Sequence, residues 1–161
     1  MGPRVTGFRG PILIGATVRW KFGQTEPNVI DAYAKGDDRS LVPEILVVDD
    51  SKVMRDMITA CLRPDPGLVV TQAASGLEAI ERLSLKTFDA LVLDLNMPDI
   101  GGLEVVEFVR SQDKLKTLPI LIVTTRADDG SREKVLAAGA SKYLTKPFTP
   151  DSILTEVKAL L

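Results

Sequence analysis

The chain of 161 residues has no histidine and a single cysteine, Cys61. The lack of histidine excludes histidine-based catalytic triads, histidine metal ligands and the histidine partner of a phosphorelay. One cysteine excludes an internal disulfide and a cysteine-cluster zinc site. No apolar run reaches the roughly 18–20 residues of a membrane-spanning helix, so we expect no membrane contact. A net charge of −2 gives no broad electrostatic footprint for nucleic acid.

Residues 1–43 lack a clear hydrophobic period and are interrupted repeatedly by glycine and proline. We interpret them as a poorly ordered N-terminal extension, with a start of translation near Val42 as the alternative. The apolar stretch at residues 11–18 is similar to a signal peptide, but it is short and charged residues follow it, so we reject that interpretation.

From residue 44 to residue 161, short aliphatic runs alternate with amphipathic helical patterns. The predicted strands cover residues 45–48, 68–72, 90–93, 118–123 and 142–145. Alternation of five strands with five helices predicts a doubly wound parallel α/β sheet. The order common at this size is 2-1-3-4-5, which gives a flavodoxin-like three-layer sandwich.

The helical patterns also predict which side chains face the core. Apolar residues recur at spacings of three and four in the first helix, where Val53 and Met57 are assigned to the same face as Ile58. In the second helix, Leu77 is assigned to the face of Leu83 on the same basis. Asp151 or Ser152 is expected to be the N-cap residue of the last helix.

Polar side chains collect where the predicted strands end. They are Asp49 and Asp50 after strand 1, Asp94 after strand 3, Thr124 at the end of strand 4, and Lys146 after strand 5. In the order 2-1-3-4-5, strands 1 and 3 are neighbours and a crevice opens at their carboxyl ends. We therefore expect these groups to converge at that edge.

Three neighbouring carboxylates repel one another, and Lys146 offsets only one of their charges. An oxygen-rich site without histidine or a nearby cysteine favours a hard cation, Mg²⁺ or Mn²⁺. Mg²⁺ commonly completes its coordination shell with phosphate oxygens, and a carboxylate can act as a nucleophile toward phosphorus. Asp94 is the candidate for that nucleophile.

These residues resemble the receiver domain of two-component response regulators, and within that family the single-domain CheY-like chemotaxis regulators. The resemblance covers residues 44–161 and rests on Asp49-Asp50, Asp94-Leu95-Asn96-Met97-Pro98, Gly102, Thr124, Tyr143 and Lys146-Pro147-Phe148-Thr149. Each motif alone is weak, but the combined spacing is specific.

The resemblance implies a role for each matching position. Asp94 would accept a phosphoryl group from a phosphohistidine, and Lys146 would contact the phosphorylated carboxylate. Metal ligation would fall to Asp50 and Asp94 directly, Asp49 through water, and the backbone carbonyl of Asn96. The bond before Pro147 would be cis. Thr124 would turn toward the phosphoryl group and Tyr143 would then move inward, altering the face of helix 4, strand 5 and helix 5.

The resemblance also implies a cytoplasmic, monomeric signalling protein rather than an enzyme. Its phosphodonor would be a CheA-like sensor histidine kinase. Because the last predicted helix ends at Leu161, we expect output through a protein target such as a flagellar motor switch protein, or onward transfer of the phosphoryl group in a phosphorelay.

Three positions depart from the family pattern. Gly101 stands where an acidic residue or asparagine is frequent, Thr125 where alanine or glycine is common, and Arg126 where the side chain is thought to tune the lifetime of the aspartyl phosphate. We expect Thr125 to narrow access to Asp94 and Arg126 to alter hydrolysis.

Three other functions share part of this pattern. An Mg²⁺-dependent phosphohydrolase of the haloacid-dehalogenase type needs an acid two residues after its nucleophile, where this chain has Asn96. A flavodoxin-like cofactor binder needs a phosphate-binding loop after strand 1, where Asp49 and Asp50 would repel phosphate. A receiver that is not phosphorylated is not favoured, because every acceptor-site residue is present.

Overall fold

A computed structural model of the chain describes residues 42–125 and 128–161. The predicted extension at residues 1–43 therefore lies almost wholly outside the described residues. In the described ranges the elements are β1 Glu44–Val48, α1 Lys52–Leu62, β2 Val69–Ala73, α2 Gly76–Leu85, β3 Ala90–Leu93, α3 Gly102–Ser111, β4 Ile120–Thr124, α4 Asp129–Ala137, β5 Lys142–Thr145 and α5 Pro150–Lys158.

The strands form one parallel sheet in the order β2-β1-β3-β4-β5. This confirms the predicted α/β class and strand order. All residues of β1, β3 and β4 are buried, which explains why these strands are almost continuously aliphatic in sequence. The neighbouring β1 and β3 form the centre of the sheet, where the crevice was predicted.

Helices cover both faces of the sheet and create two hydrophobic cores. Leu46 and Val48 of β1 point into the core shared with α2, α3 and α4. Ile45 and Val47 point to the opposite face, toward α1 and α5. The result is the predicted three-layer sandwich. None of the described helices combines the length and the apolar character needed to cross a membrane.

The predicted inward faces of α1 and α2 are partly wrong. Val53 is 78% exposed and Leu77 is 61% exposed, whereas Ile58 and Leu83 are buried. At about 100° per residue, Val53 lies about 140° around the helix from Ile58, and Leu77 about 120° from Leu83. Apolar residues at spacings of three and four therefore extend around each helix beyond the face that packs against the sheet. Those outside that face are exposed to solvent.

The start of α5 also differs from the prediction. Thr149, rather than Asp151 or Ser152, is the N-cap residue. Its hydroxyl accepts a hydrogen bond from the Ser152 N–H at 3.2 Å, and the Ser152 hydroxyl accepts one from the Thr149 N–H at 3.0 Å. Pro150 occupies the first turn, where its missing N–H costs no helical hydrogen bond.

A charged group is buried at the amino end of β1. Oε1 of Glu44 accepts hydrogen bonds from Lys86 Nζ at 2.6 Å and from the Thr71 hydroxyl at 2.5 Å. Burial raises the pKa of Glu44, but the hydrogen bonds from Lys86 and Thr71, together with the charge of Lys86, outweigh this effect and hold the pKa below its ordinary value. The ionised carboxylate therefore stabilises the fold.

We expect Glu44→Gln to lower the free energy of unfolding by about 1 kcal/mol at neutral pH, because glutamine keeps an acceptor but loses the charge. The deficit should shrink as the pH falls through the lowered pKa of the folded carboxyl, where the wild-type chain also loses its charge. Urea unfolding at several pH values measures this difference. Glu107→Gln, at an exposed position of α3, is the control. A deficit that is independent of pH would contradict the assignment.

Candidate phosphoacceptor site

The carboxyl ends of the strands bring the predicted polar groups to one edge of the sheet. Val48 of β1 pairs with Leu93 of β3. Asp49 directly follows Val48 and Asp94 directly follows Leu93, so the two acids leave the sheet at the same level. The Asp94 N–H donates to the Val48 carbonyl at 2.9 Å. These backbone contacts place the two acids side by side.

Asp49, Asp50 and Asp94 form a compact acidic cluster, whose ligand oxygens all lie within 4.8 Å of one another. Asp49 is 1% exposed and Asp94 is 6% exposed, whereas Asp50 is exposed to solvent. The cluster therefore has a buried base and one solvent-facing carboxylate. Residues separated in sequence by α1, β2 and α2 meet here because β1 and β3 are neighbours in the sheet.

Lys146 enters the cluster from the end of β5. Its Nζ lies 2.6 Å from Oδ2 of Asp49 and 3.4 Å from Oδ1 of Asp94. The Lys146 N–H donates to the Thr124 carbonyl at 2.8 Å, and the Lys146–Pro147 peptide bond is cis. The side chain is only 9% exposed, so its charge acts on the two acids with little screening by solvent.

Asp94 has a buried carboxylate oxygen without a hydrogen-bond donor in the described part of the chain. Its Oδ1 is buried and accepts no hydrogen bond from the described residues; the 3.4 Å approach of Lys146 Nζ is an ion-pair contact only. Burial raises the pKa of Asp94 above its ordinary value, the positive charge of Lys146 opposes the shift, and the negative charge of Asp49 adds to it. A further positive charge would therefore be favourable at this oxygen.

The cluster fits a magnesium ion on its own chemistry. It offers carboxylate oxygens, which are the ligands that hard cations prefer, and one buried oxygen without a hydrogen-bond donor. Asp49, Asp50 and Asp94 are the residues that would hold the ion. Ligation by the backbone carbonyl of Asn96 stays a prediction.

Thr124 is the last residue of β4, and Asn96 lies in the loop after β3, so both are at the carboxyl edge of the sheet. Thr124 is fully buried, and its hydroxyl accepts a hydrogen bond from the Asn96 amide at 3.2 Å. The same amide donates to the exposed Thr125 hydroxyl at 3.4 Å. Thr125 is therefore an exposed neighbour of Thr124, and its effect on access to Asp94 stays a prediction. Arg126 lies outside the described residues.

Tyr143 is the second residue of β5, three residues before Lys146. It is half-buried against the core shared with α2, α3 and α4. The Arg132 guanidinium of α4 lies 5.9 Å from the centre of its ring, within cation–π range. The ring thus contacts both the interior and the surface of the α4–β5 region.

Two residues near the site have functions that sequence reasoning missed. Arg55 of α1 donates from Nη1 to the backbone carbonyl of Asp49 at 2.7 Å and of Asp50 at 3.2 Å. Gly102 is the first residue of α3 and lies so close to the Asp94 backbone that a Cβ on it would overlap the Asp94 carbonyl oxygen. The sequence signal that could have indicated Arg55 is an arginine four residues after the helix cap Ser51. Gly102 was part of the family motif, but the sequence did not indicate why a glycine is needed there.

Together, the parallel sheet and the cluster of acids, lysine and threonine at its carboxyl edge define a receiver domain. The family model of the response regulator receiver domain matches residues 45–158, and the chain belongs to that family.

Three relatives illustrate the similarity. The chain is 36% identical over 119 residues to the chemotaxis protein CheY1 of Helicobacter pylori, covering 73% of this chain and 96% of the relative. It is 42% identical over 117 residues to the response regulator MprA of Mycobacterium ulcerans, covering 73% of this chain and 49% of MprA. The structure of response regulator TrrA of Thermotoga maritima with Mg²⁺-BeF has a TM-score of 0.67 at 32% identity, covering 74% of this chain and all of TrrA.

The similar region thus spans nearly all of one relative and about half of another. It supports two-component response regulation for this domain, and a CheY-like receiver fold. The chain spans about half the length of MprA.

Proposed function

We propose that this protein is a phosphorylation-activated switch in which Asp94 accepts a phosphoryl group from the phosphohistidine of a sensor histidine kinase. The observation that carries the proposal is the buried Oδ1 of Asp94, which lacks a hydrogen-bond donor and lies beside Asp49 and Lys146. The TrrA structure, which contains Mg²⁺-BeF, supports the same kind of site by similarity.

The proposed reaction is a transfer of one phosphoryl group. A carboxylate oxygen of Asp94 attacks phosphorus, and an O–P bond forms as the N–P bond of the donor breaks. The electron pair of the N–P bond leaves with the imidazole, which takes a proton from solvent. Magnesium, when bound, would neutralise the charge of the phosphoryl group. Asp50 and Asp94 would hold the ion directly, Asp49 would act through water, and Lys146 would contact the phosphorylated carboxylate.

The output of the switch is a change at the surface formed by α4, β5 and α5. The Thr124 hydroxyl turns toward the new phosphoryl oxygens and gives up its hydrogen bond from Asn96. Tyr143 then moves further inward, and the surface binds its partner better in this state. The proposal is supported by the burial of Thr124 at the carboxyl end of β4, by its hydrogen bond from Asn96, and by the half-buried position of Tyr143.

For the pathway, we propose chemotaxis, with a CheA-like kinase as donor and a flagellar motor switch protein as target, in a cytoplasmic monomer. The support is the similarity to CheY1 over 96% of that protein. The alternative is an intermediate that passes its phosphoryl group onward. A binding partner that prefers the phosphorylated form favours the first, and a histidine protein that removes the phosphoryl group favours the second.

The test is incubation with acetyl phosphate and Mg²⁺ followed by intact mass spectrometry. We expect one added phosphoryl group, located on Asp94 by peptide mapping, and none when a chelator removes the metal. Continuous phosphate release with turnover of an aryl phosphate would instead indicate a phosphohydrolase. No adduct under saturating donor and metal would overturn the proposal.

A further inference from the structure

Arg55 connects the acidic cluster to the neighbouring edge strand. It lies at the end of the first turn of α1 and is half-buried. Nη1 contacts the carbonyls of Asp49 and Asp50, at 2.7 and 3.2 Å, and Nε lies 3.4 Å from Oε1 of Gln72 in β2. One planar guanidinium therefore holds two consecutive peptide units, and these units carry two of the three acids of the cluster.

The two acids depend differently on this contact. The Asp49 carboxylate is fixed by the Ser51 N–H at 2.9 Å and by Lys146 Nζ at 2.6 Å. The Asp50 carboxylate is exposed, and the direction of its side chain follows from the orientation of its backbone. Because Arg55 binds the carbonyls of the peptide bonds before and after the Asp50 Cα, it restricts the backbone rotation that would swing the Asp50 side chain away from Asp94.

Bringing the ligand oxygens of three carboxylates within 4.8 Å of one another costs electrostatic energy. Without a cation, this repulsion drives the exposed Asp50 carboxylate away from Asp94 unless the Asp50 backbone is held. Groups that orient metal ligands in this way commonly change metal affinity by about 10- to 100-fold when they are removed. Lysine cannot replace them fully, because its single ammonium lacks the fork of an arginine.

We propose that Arg55 is a positioning residue for the metal site: it holds the Asp49 and Asp50 backbone so that the Asp50 carboxylate faces the ion beside Asp94. This inference rests on the proposed function, since it assumes that the cluster binds magnesium. It predicts weaker magnesium binding, rather than loss of the fold, when the guanidinium is removed.

A purely structural role makes a different prediction. Gln72 also donates to the Thr59 hydroxyl at 2.9 Å and to Asp56 Oδ1 at 3.3 Å, so Arg55 belongs to a network that fastens α1 to β2. If that network is its only function, removing the guanidinium lowers thermal stability and leaves magnesium affinity unchanged. Magnesium affinity therefore separates the two roles.

The test compares Arg55→Met, Arg55→Lys and the control Arg63→Met in the full chain. Arg63 lies at the other end of α1 and is exposed. Titration calorimetry with magnesium alone, without phosphodonor, gives the Kd, and circular dichroism gives the Tm of each variant. We expect Arg55→Met to raise the Kd on the order of tenfold. Arg55→Lys should give a smaller increase, and Arg63→Met should match the wild type.

A second readout uses acetyl phosphate over a range of magnesium concentrations. Arg55→Met should need more magnesium to reach its half-maximal rate, and its rate at saturation should approach that of the wild type. An unchanged Kd in Arg55→Met, or a saturated rate that stays low, would overturn the inference while leaving the proposed function intact. Failure of the wild-type chain to bind magnesium would overturn both.

Discussion

Replacing Asp94 by asparagine is expected to abolish phosphorylation and, at the same time, to stabilise the fold. Asparagine has no carboxylate oxygen that can attack phosphorus, so no adduct forms. The pKa of Asp94 is raised mainly by burial, with a further contribution from Asp49, which means that its ionised form is disfavoured in the folded chain. A neutral side chain of the same shape removes this penalty and should raise the free energy of unfolding by about 1 kcal/mol at neutral pH.

The sign of the pH dependence follows from the raised pKa. Above the folded pKa of Asp94, the wild-type chain carries the full penalty of a buried charge. Below the ordinary pKa of an unfolded aspartate, both states are protonated and the penalty is absent. The advantage of Asp94→Asn should therefore disappear as the pH falls between these two values.

Urea unfolding without added metal measures the stability difference, and intact mass after acetyl phosphate treatment measures phosphorylation. Asp99→Asn, in the exposed loop after β3, is the matched control and should change neither quantity. Phosphorylation that persists in Asp94→Asn would place the acceptor elsewhere. Equal stability of both chains at every pH would contradict the assigned electrostatic penalty.

The sheet was predictable because its central strands are buried on both faces. Runs such as Ile45–Val48 and Ala90–Leu93 have no polar alternation, and the helices between them require parallel crossovers. The helix faces were less predictable. Whether Val53 lies over the sheet or points to solvent depends on the tertiary packing of α1, which local periodicity does not record.

Some residues of the site were also predictable from the sequence, and others were not. Asp49 and Lys146 are 97 residues apart, and strand-end position was sufficient to predict their meeting. Arg55 was missed because it acts on backbone carbonyls, whose positions are not encoded by residue type. The reason for Gly102 was equally hidden, since a close approach between two backbone segments exists only in the folded chain.

The largest loss of stability expected at the site comes from a substitution of Gly102. A Cβ at this position would overlap the carbonyl oxygen of Asp94 and lie 2.8 Å from the Cα of Leu95. Both contacts are with backbone, which cannot move aside without displacing Asp94. We expect Gly102→Ala to lower the free energy of unfolding by about 3 kcal/mol, although alanine is the better helix former. The displaced acceptor should also be phosphorylated more slowly.

The adjacent glycine provides a matched control. A Cβ on Gly101 would lie 2.7 Å from Oε2 of Glu104, the far end of a flexible exposed side chain that can turn away. Gly101→Ala should therefore lose only the preference of glycine over alanine at the N-cap position, which lowers the free energy of unfolding by less than about 1 kcal/mol. This variant should be phosphorylated at the wild-type rate. Urea unfolding and the rate of acetyl phosphate uptake compare the two variants. Equal stability of the two alanine variants would mean that α3 does not approach the Asp94 backbone this closely, and that the start of α3 does not fix the position of the acceptor.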